Sequence, residues 1–305
     1  MKSFFRKFIN SIKNIKQIDS KLDDIQLAIG KIELRQLHQF KIEKLTDAEF
    51  KIFSQWGEDG IIQYLIQKVA IEREIFIEFG VENYTESNTK FLLMNNNWSG
   101  LVFDSSEENI NFIKNDPIYW KYDLKAKYAF ITSENINFLI SQNNITGDIG
   151  LLSIDVDGND YWIWKSINCI NPRIMIIEYN NLFGPHVKIS IPYDSSFNRT
   201  KSHFSNLYFG ASMSALCDLA ESKGYSMVGS NNANIFFIRK DILNDLPKLS
   251  PIETWKKCKC RQSRDQKGNL TYIDHKEELA LISEMPVFNF ENGKIVRIRE
   301  LNIEH

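Results

Sequence analysis

Four apolar runs in this chain end in an acidic residue, and that repeated ending limits the possible folds more than any other feature. They are Ile75-Phe-Ile-Glu78, Gly100-Leu-Val-Phe-Asp104, Gly150-Leu-Leu-Ser-Ile-Asp155 and Arg173-Ile-Met-Ile-Ile-Glu178. A strand buried on both faces of a parallel sheet reads as a continuous hydrophobic run. Ligands of open α/β sheets bind beyond the carboxyl ends of such strands, so the four acids are expected along one rim. Gly80 follows the first run and lets the backbone approach a ligand without a Cβ in the way. The residues after it, Thr85 to Ser87, are expected to open a helix whose amides face a carboxylate.

Further strands are expected over residues 127–132, 225–228 and 235–238, with helical patterns at 61–66, 89–95, 134–143 and 214–223. Seven strands alternating with helices predict an α/β protein: a mostly parallel, seven-stranded sheet with helices on both faces. Ahead of it, Ile12, Ile15, Ile18, Leu22, Ile25, Ile29 and Ile32 recur at steps of three or four, the pattern of an amphipathic helix and nearly a heptad seam. Such a seam packs on its own body or on a second copy, predicting a homo-oligomer. The alternative is peripheral membrane contact, because Lys2, Arg6, Lys7, Lys13 and Lys16 accompany Phe4, Phe5 and Phe8 with no acid among the first 16 residues. Near the other end, residues 287–298 alternate around Asn292-Gly293 and predict an exposed accessory β-hairpin. The expected division is residues 1–50 helical, 51–245 the α/β domain and 246–305 an accessory segment.

At 305 residues with 43% hydrophobic and 25% charged residues, the chain reads as a soluble globular protein. Its formal net charge of −2 gives no general affinity for nucleic acid. Cys169, Cys217, Cys258 and Cys260 form neither a disulfide framework nor a zinc site, which fits a reducing compartment. No membrane span or signal peptide is legible, so a cytoplasmic location is expected.

The stretch richest in chemistry is Ser153-Ile-Asp155-Val-Asp157-Gly158-Asn-Asp160. Strand alternation puts Asp155 and Asp157 on the same side, and two such carboxylates need a cation, a proton or a hydrogen-bond donor between them. His186, in a Gly/Pro-rich connection directly after the fifth strand, is a further candidate for proton transfer. Asp104, ending the second strand, is placed to accept hydrogen bonds from two ribose hydroxyls.

With those residues in view, the segment from about Phe53 to Arg239 resembles S-adenosylmethionine-dependent methyltransferases of the FkbM-like branch. Ser54-Gln55-Trp-Gly-Glu-Asp59 is similar to the Ser-Gln segment ahead of the family's first strand. Glu78-Phe-Gly80 resembles its acid-x-Gly motif, Asp104 its ribose-binding acid, and residues 153–160 its Ile-Asp-Val-Glu-Gly-x-Glu motif. The chain departs from the pattern in the first loop, where Glu82 and Tyr84 stand in place of further glycines. The resemblance implies a Rossmann-like methyltransferase fold, S-adenosylmethionine as cofactor, and Gln55, Glu78, Gly80, Ser87, Asp104, Ser105 and Asp155 as its binding residues. It also implies O-methylation of a sugar or glycoconjugate intermediate, as in bacterial surface polysaccharide pathways.

An alcohol needs a base or a metal to become a nucleophile. The expected base is Asp157 or His186. Asp155, Glu178 and Asn180 offer hard oxygen donors that suit Mg²⁺ or Mn²⁺, an arrangement similar to that of metal-dependent small-molecule O-methyltransferases. The competing readings are a non-catalytic assembly module on the same fold and a nicotinamide-dependent sugar oxidoreductase. The second lacks the Gly-x-Gly-x-x-Gly that a pyrophosphate requires.

Overall fold

The computed structural model describes residues 21–258 and 262–303. In chain order its strands are β1 (Ile75–Phe79), β2 (Ser99–Asp104), β3 (Leu124–Tyr128), β4 (Gly147–Ile154), β5 (Ile170–Glu178), β6 (Ile189–Ser190), β7 (Tyr225–Ser230), β8 (Asn234–Arg239), β9 (Pro286–Asn289) and β10 (Lys294–Arg297). Seven of them form one sheet in the order β3-β2-β1-β4-β5-β8-β7. The first five pair in parallel, and β8 runs antiparallel to β5 and β7. The fold is therefore the expected doubly wound, Rossmann-like α/β sheet. Its strand order reverses between β1 and β4, the place where such sheets open a crevice.

The helices that matter below are α1 (residues 21–37), α2 (Glu58–Lys68), α3 (Lys90–Asn96), α4 (Glu107–Asn115), α5 (Pro117–Lys121), α6 (Ile136–Ser141), α7 (Asp160–Ser166), α8 (Arg199–Ser202) and α9 (Met213–Ser222). Side chains alternate across each strand, which splits the core in two. Phe76, Leu151, Ile174 and Ile176 pack with Ile61, Leu65, Leu92 and Ile110 of α2–α4. Ile77, Leu152, Met175 and Ile177 pack with Ile136, Trp164 and Leu216 of α6, α7 and α9.

Three sequence expectations move. The third strand lies at Leu124–Tyr128 rather than 127–132, because only Leu124 and Ala126 are buried on this edge strand. The helix after β1 begins at Lys90, beyond a turn through Glu82 and Tyr84, both at positive φ (47° and 63°). The hairpin β9–β10 exists, but it is not an exposed appendage: β9 also pairs with β6, and Val287 and Ile298 are buried with Phe183, Ile189, Ile191 and Tyr208.

Helix α1 lies on the body through one face. Gly30 packs so closely on Phe91 that a Cβ there would meet the ring at 2.4 Å. Gln26 donates to the carbonyl of Ile52, and Asp23 pairs with Lys90. The basic run at residues 1–16, the first turns of the heptad pattern and Cys260 lie outside the described residues. Among the described residues no helix is long and apolar enough to cross a membrane.

Candidate active site

A cavity of about 180 Å³ opens at the switch point, beyond the carboxyl ends of β1, β2 and β4. Of the residues singled out from sequence, Gly80, Asp104, Ser105, Asp155 and Asp157 line it, joined by Glu82, Phe130, Asn159, Phe197, Asn198, Arg199 and Thr200. The polypeptide shapes this wall by close approach. Gly80, at φ +74°, leaves no room for a Cβ because the carbonyl oxygen of Asp155 would lie 1.6 Å from it. Its missing side chain therefore serves the β1–β4 contact, and the ligand approach expected of it is secondary. Gly158 plays the same part against the ring of Phe197.

Asp104 sits at the rim with its loop arranged around it. Its Oδ2 accepts from the amide of Glu82 at 2.8 Å, and its Oδ1 accepts from the amide of Ser106 and from Asn109 Nδ2. A carboxylate offers about four acceptor positions, so capacity for a ligand hydroxyl remains. Phe130, in the connection after β3, stands in the same wall and is 47% exposed, an apolar surface that the described residues leave half open.

On the other side of the cavity the acids converge. Carboxylate oxygens of Asp155, Asp157 and Glu178 all lie within 4.8 Å of one another. Burial first, then the neighbouring acids, push Asp155 and Glu178 well above the ordinary carboxylate range. The counter-charge is Arg199, at the start of α8. Its Nη1 lies 2.7 Å from Asp157 Oδ1 and 3.8 Å from Glu178 Oε1, its Nε donates to the carbonyl of Asn206, and its guanidinium sits 3.5 Å from the centre of the Phe209 ring. Asp160 holds the turn beneath, accepting from the amides of Val156 and Gly158.

The remaining sequence candidates do other work. Glu78 points into the α2–α4 side and binds its own chain, accepting from Ser87 Oγ, Thr89 Oγ1 and the amides of Asn88 and Thr89. Glu78 and Ser87 thus tie β1 to the start of α3 and do not line the cavity. Asn180 is engaged in its own loop: its Nδ2 donates to the carbonyls of Leu207 and Phe209 and its Oδ1 accepts from the amide of Leu182. Gln55 and His186 are exposed and outside the cavity. Ser54 and Asp59 cap one another, Ser54 Oγ accepting from the amide of Asp59, and Glu58 accepts from Asn231 and Asn234 across the β7–β8 turn.

Of the donors expected for Mg²⁺ or Mn²⁺, Asp155 and Glu178 converge with Asp157 beside them, while Asn180 is held in its own loop. Asn180 is engaged elsewhere, and a guanidinium already faces the carboxylates that do converge. Arg199 itself escaped the sequence reading. It is the only arginine between Arg173 and Arg239, inside the long connection after β5, and that isolation in a lid-like stretch was its one signal.

No protein-family description matches the chain, and no curated protein does. Among solved structures the chain is similar to the N-terminal domain of EvdMO1 with SAH bound, at 10% identity over 60% of this chain and 80% of that one, with a TM-score of 0.40. It is also similar to an S-adenosylmethionine-dependent methyltransferase from Clostridium acetobutylicum ATCC 824, at 10% identity over 64% and 95% of the two chains, with a TM-score of 0.38. A third such structure is the CurJ carbon methyltransferase, at 10% identity over 59% and 52% of the two chains, with a TM-score of 0.38.

Proposed function

We propose that the chain is an S-adenosylmethionine-dependent O-methyltransferase acting on a hydroxyl of a sugar or glycoconjugate. The observation that carries this reading is the switch-point cavity that joins Asp104 on one wall to Asp155 and Asp157 on the other. When bound, the cofactor supplies an electrophilic methyl group on a cationic sulfur. In this reading Asp104 and Ser105 take the ribose hydroxyls and Phe130 gives the adenine an apolar face. The acids at the end of β4 favour a cation beside them. Among the described residues only Arg199 opposes the charge of Glu82, Asp104 and Asp157 in the lining, so the cavity suits a cationic cofactor and a neutral acceptor better than an anionic one.

Asp157 is the base in this reading, and His186, exposed beyond the cavity, is not. A hydroxyl brought to the Asp157 side would give up its proton to that carboxylate, while Asp155 and Glu178 would keep the proton that their mutual proximity favours. Arg199 supplies the positive charge that a divalent ion supplies elsewhere, and the proposed reaction needs no metal. Asn159, Asn198 and Thr200 beside Phe197 provide the mixture of hydrogen-bonding groups and an apolar ring that a neutral sugar requires.

The test is titration of the full chain with S-adenosylhomocysteine, read by calorimetry and by the melting temperature. Specific binding with a rise in melting temperature is expected, followed by transfer of a labelled methyl group to a sugar acceptor. Binding of NAD with no response to S-adenosylhomocysteine would replace this reading by the oxidoreductase one.

A further inference from the structure

The turn after β1 holds one residue in a left-handed backbone for no reason that its own contacts supply. Among the described residues, seven besides glycine have a positive φ, and four of them are asparagines, which enter this region more readily than most. Tyr84 is fixed there by its buried ring and by the bond between its hydroxyl and Thr89 Oγ1, and Asp157 is paired with Arg199. Glu82, at φ 47°, has an exposed side chain that makes no hydrogen bond or ion pair among the described residues. Glycine would take this conformation without the clash that a Cβ brings. Strain of this kind persists where the side chain has a use.

The neighbours of Glu82 narrow that use. It lines the switch-point cavity, and its amide donates to Asp104 Oδ2 at 2.8 Å, so it stands beside the acid assigned above to the ribose. The other acids of the lining are engaged. Asp104 accepts from three donors of its surrounding loops, Asp157 bonds Arg199, and Asp155 lies against Glu178. Glu82 is the lining carboxylate left for a cation that a ligand brings in.

We propose that Glu82 binds the α-ammonium group of the cofactor's amino-acid end. The proposal rests on the methyltransferase reading above, in which Asp104 takes the ribose. The amino-acid end is attached to the same sulfur as the ribose, so a residue next to the ribose acid can reach it. Gly80 is followed by Val81, Glu82, Asn83 and Tyr84, with no further glycine to wrap that end in backbone amides. The amide of Glu82 is engaged by Asp104 and that of Tyr84 by the carbonyl of Val81. A side chain therefore takes over recognition that a glycine-rich turn leaves to its backbone, through a charge-assisted hydrogen bond from ammonium to carboxylate.

The experiment is calorimetric titration of the full chain, Glu82→Gln and Glu82→Gly with two compounds. One is S-adenosylhomocysteine; the other is methylthioadenosine, which keeps adenine, ribose and sulfur but has no amino-acid end. Glutamine preserves the size of the side chain, whereas glycine relieves the backbone while removing the carboxylate, so a distorted turn cannot explain a loss in both. Each variant is expected to bind S-adenosylhomocysteine about 5- to 20-fold more weakly, between the effects of an exposed ion pair and a buried charged hydrogen bond. Each is expected to bind methylthioadenosine as the parent does. Melting temperatures without ligand are expected to stay within about 2 °C of the parent, which separates a lost contact from a lost fold. Unchanged affinity for S-adenosylhomocysteine in the variants would overturn the proposal and leave the methyltransferase reading standing. An equal loss for both compounds would overturn it too, by making Glu82 a support for Asp104 and not a contact of the ligand. A parent that binds neither compound would overturn it together with the reading on which it rests.

Discussion

Arg199 holds an acid cluster that would otherwise repel itself. Its Nη1 bonds Asp157 and faces Glu178, and the guanidinium is sandwiched against Phe209 with its side chain only 17% exposed. Replacing it by methionine keeps much of the packing and removes the charge. The expected cost is about 1–3 kcal/mol of unfolding free energy, below the range for a fully buried pair because Asp157 is solvent-facing. The vacated carboxylates should then take up Mn²⁺. A calorimetric titration showing binding in Arg199→Met but not in the parent would support the arginine as the resident counter-ion; equal binding in both would defeat it. Asp104 makes a second residue-scale case. Asp104→Asn keeps one acceptor oxygen but loses the charge that ribose hydroxyls would bond. Affinity for S-adenosylhomocysteine is expected to fall about 10- to 100-fold, the loss of hydrogen bonds to an ionised group. An unchanged Kd in the titration would remove Asp104 from the ligand contacts.

At the scale of the elements, the two ends of the sheet have different duties. At the end remote from the cavity, Asp148 at the start of β4 accepts from Arg173 Nε and Nη2 on β5 and from Arg239 Nη1 on β8, while Arg173 Nη1 reaches the carbonyl of Ala70 after α2. One carboxylate thus locks three strands and a helix end. Asp148→Ala removes the carboxylate that the two arginines share while Arg173 keeps Glu72 and Arg239 keeps Asp241, and urea unfolding is expected to show a loss of about 1–2 kcal/mol with S-adenosylhomocysteine binding preserved. A loss of binding without loss of stability would contradict that separation. The same division explains what could be read in advance. Strands β1, β2, β4 and β5 are buried on both faces, so their residues declare themselves as unbroken apolar runs. Edge strand β3 buries only Leu124 and Ala126, while the apolar stretch just beyond it contains Phe130, held half exposed in the cavity wall. The acids at the strand ends were legible as a set, but their partners were not. Glu78 closes on Ser87, Asn88 and Thr89, and Asn180 on carbonyls of residues 207 and 209, because a loop's path decides which polar group reaches which side chain.

Over the whole molecule, buried carboxyls give stability an unusual dependence on pH. Asp59 accepts from the amides of Ile52, Phe53 and Ser54 and from Ser54 Oγ, yet burial still pushes it up to about 6, and its other oxygen has no hydrogen-bond partner among the described residues. Burial likewise pushes Asp160 up to about 6 against the pull of the amides it holds. In the unfolded chain both would titrate near the ordinary value of 3.8. Between the two values the folded protein binds protons that the unfolded chain has released, so the linkage slope is negative. The contribution is fully present below the unfolded value and is lost as pH rises through the folded one. Each group can shift stability by up to about 3 kcal/mol across that window, and Asp155 and Glu178 act in the same direction. Carboxylates whose values are lowered by partners, such as Asp148 and Asp241, oppose this mainly below the ordinary range. Unfolding free energy is therefore expected to be higher near pH 5 than near pH 7.5, the reverse of the usual acid destabilisation. Asp59→Asn should flatten part of that decline, since the amide oxygen can still accept from the residue 52–54 backbone but carries no titrating proton. Urea unfolding across this range decides it: stability that climbs steadily from pH 4 to pH 7, or a decline unaltered in Asp59→Asn, would mean that the four hydrogen bonds outweigh burial and keep the carboxylate ionised throughout.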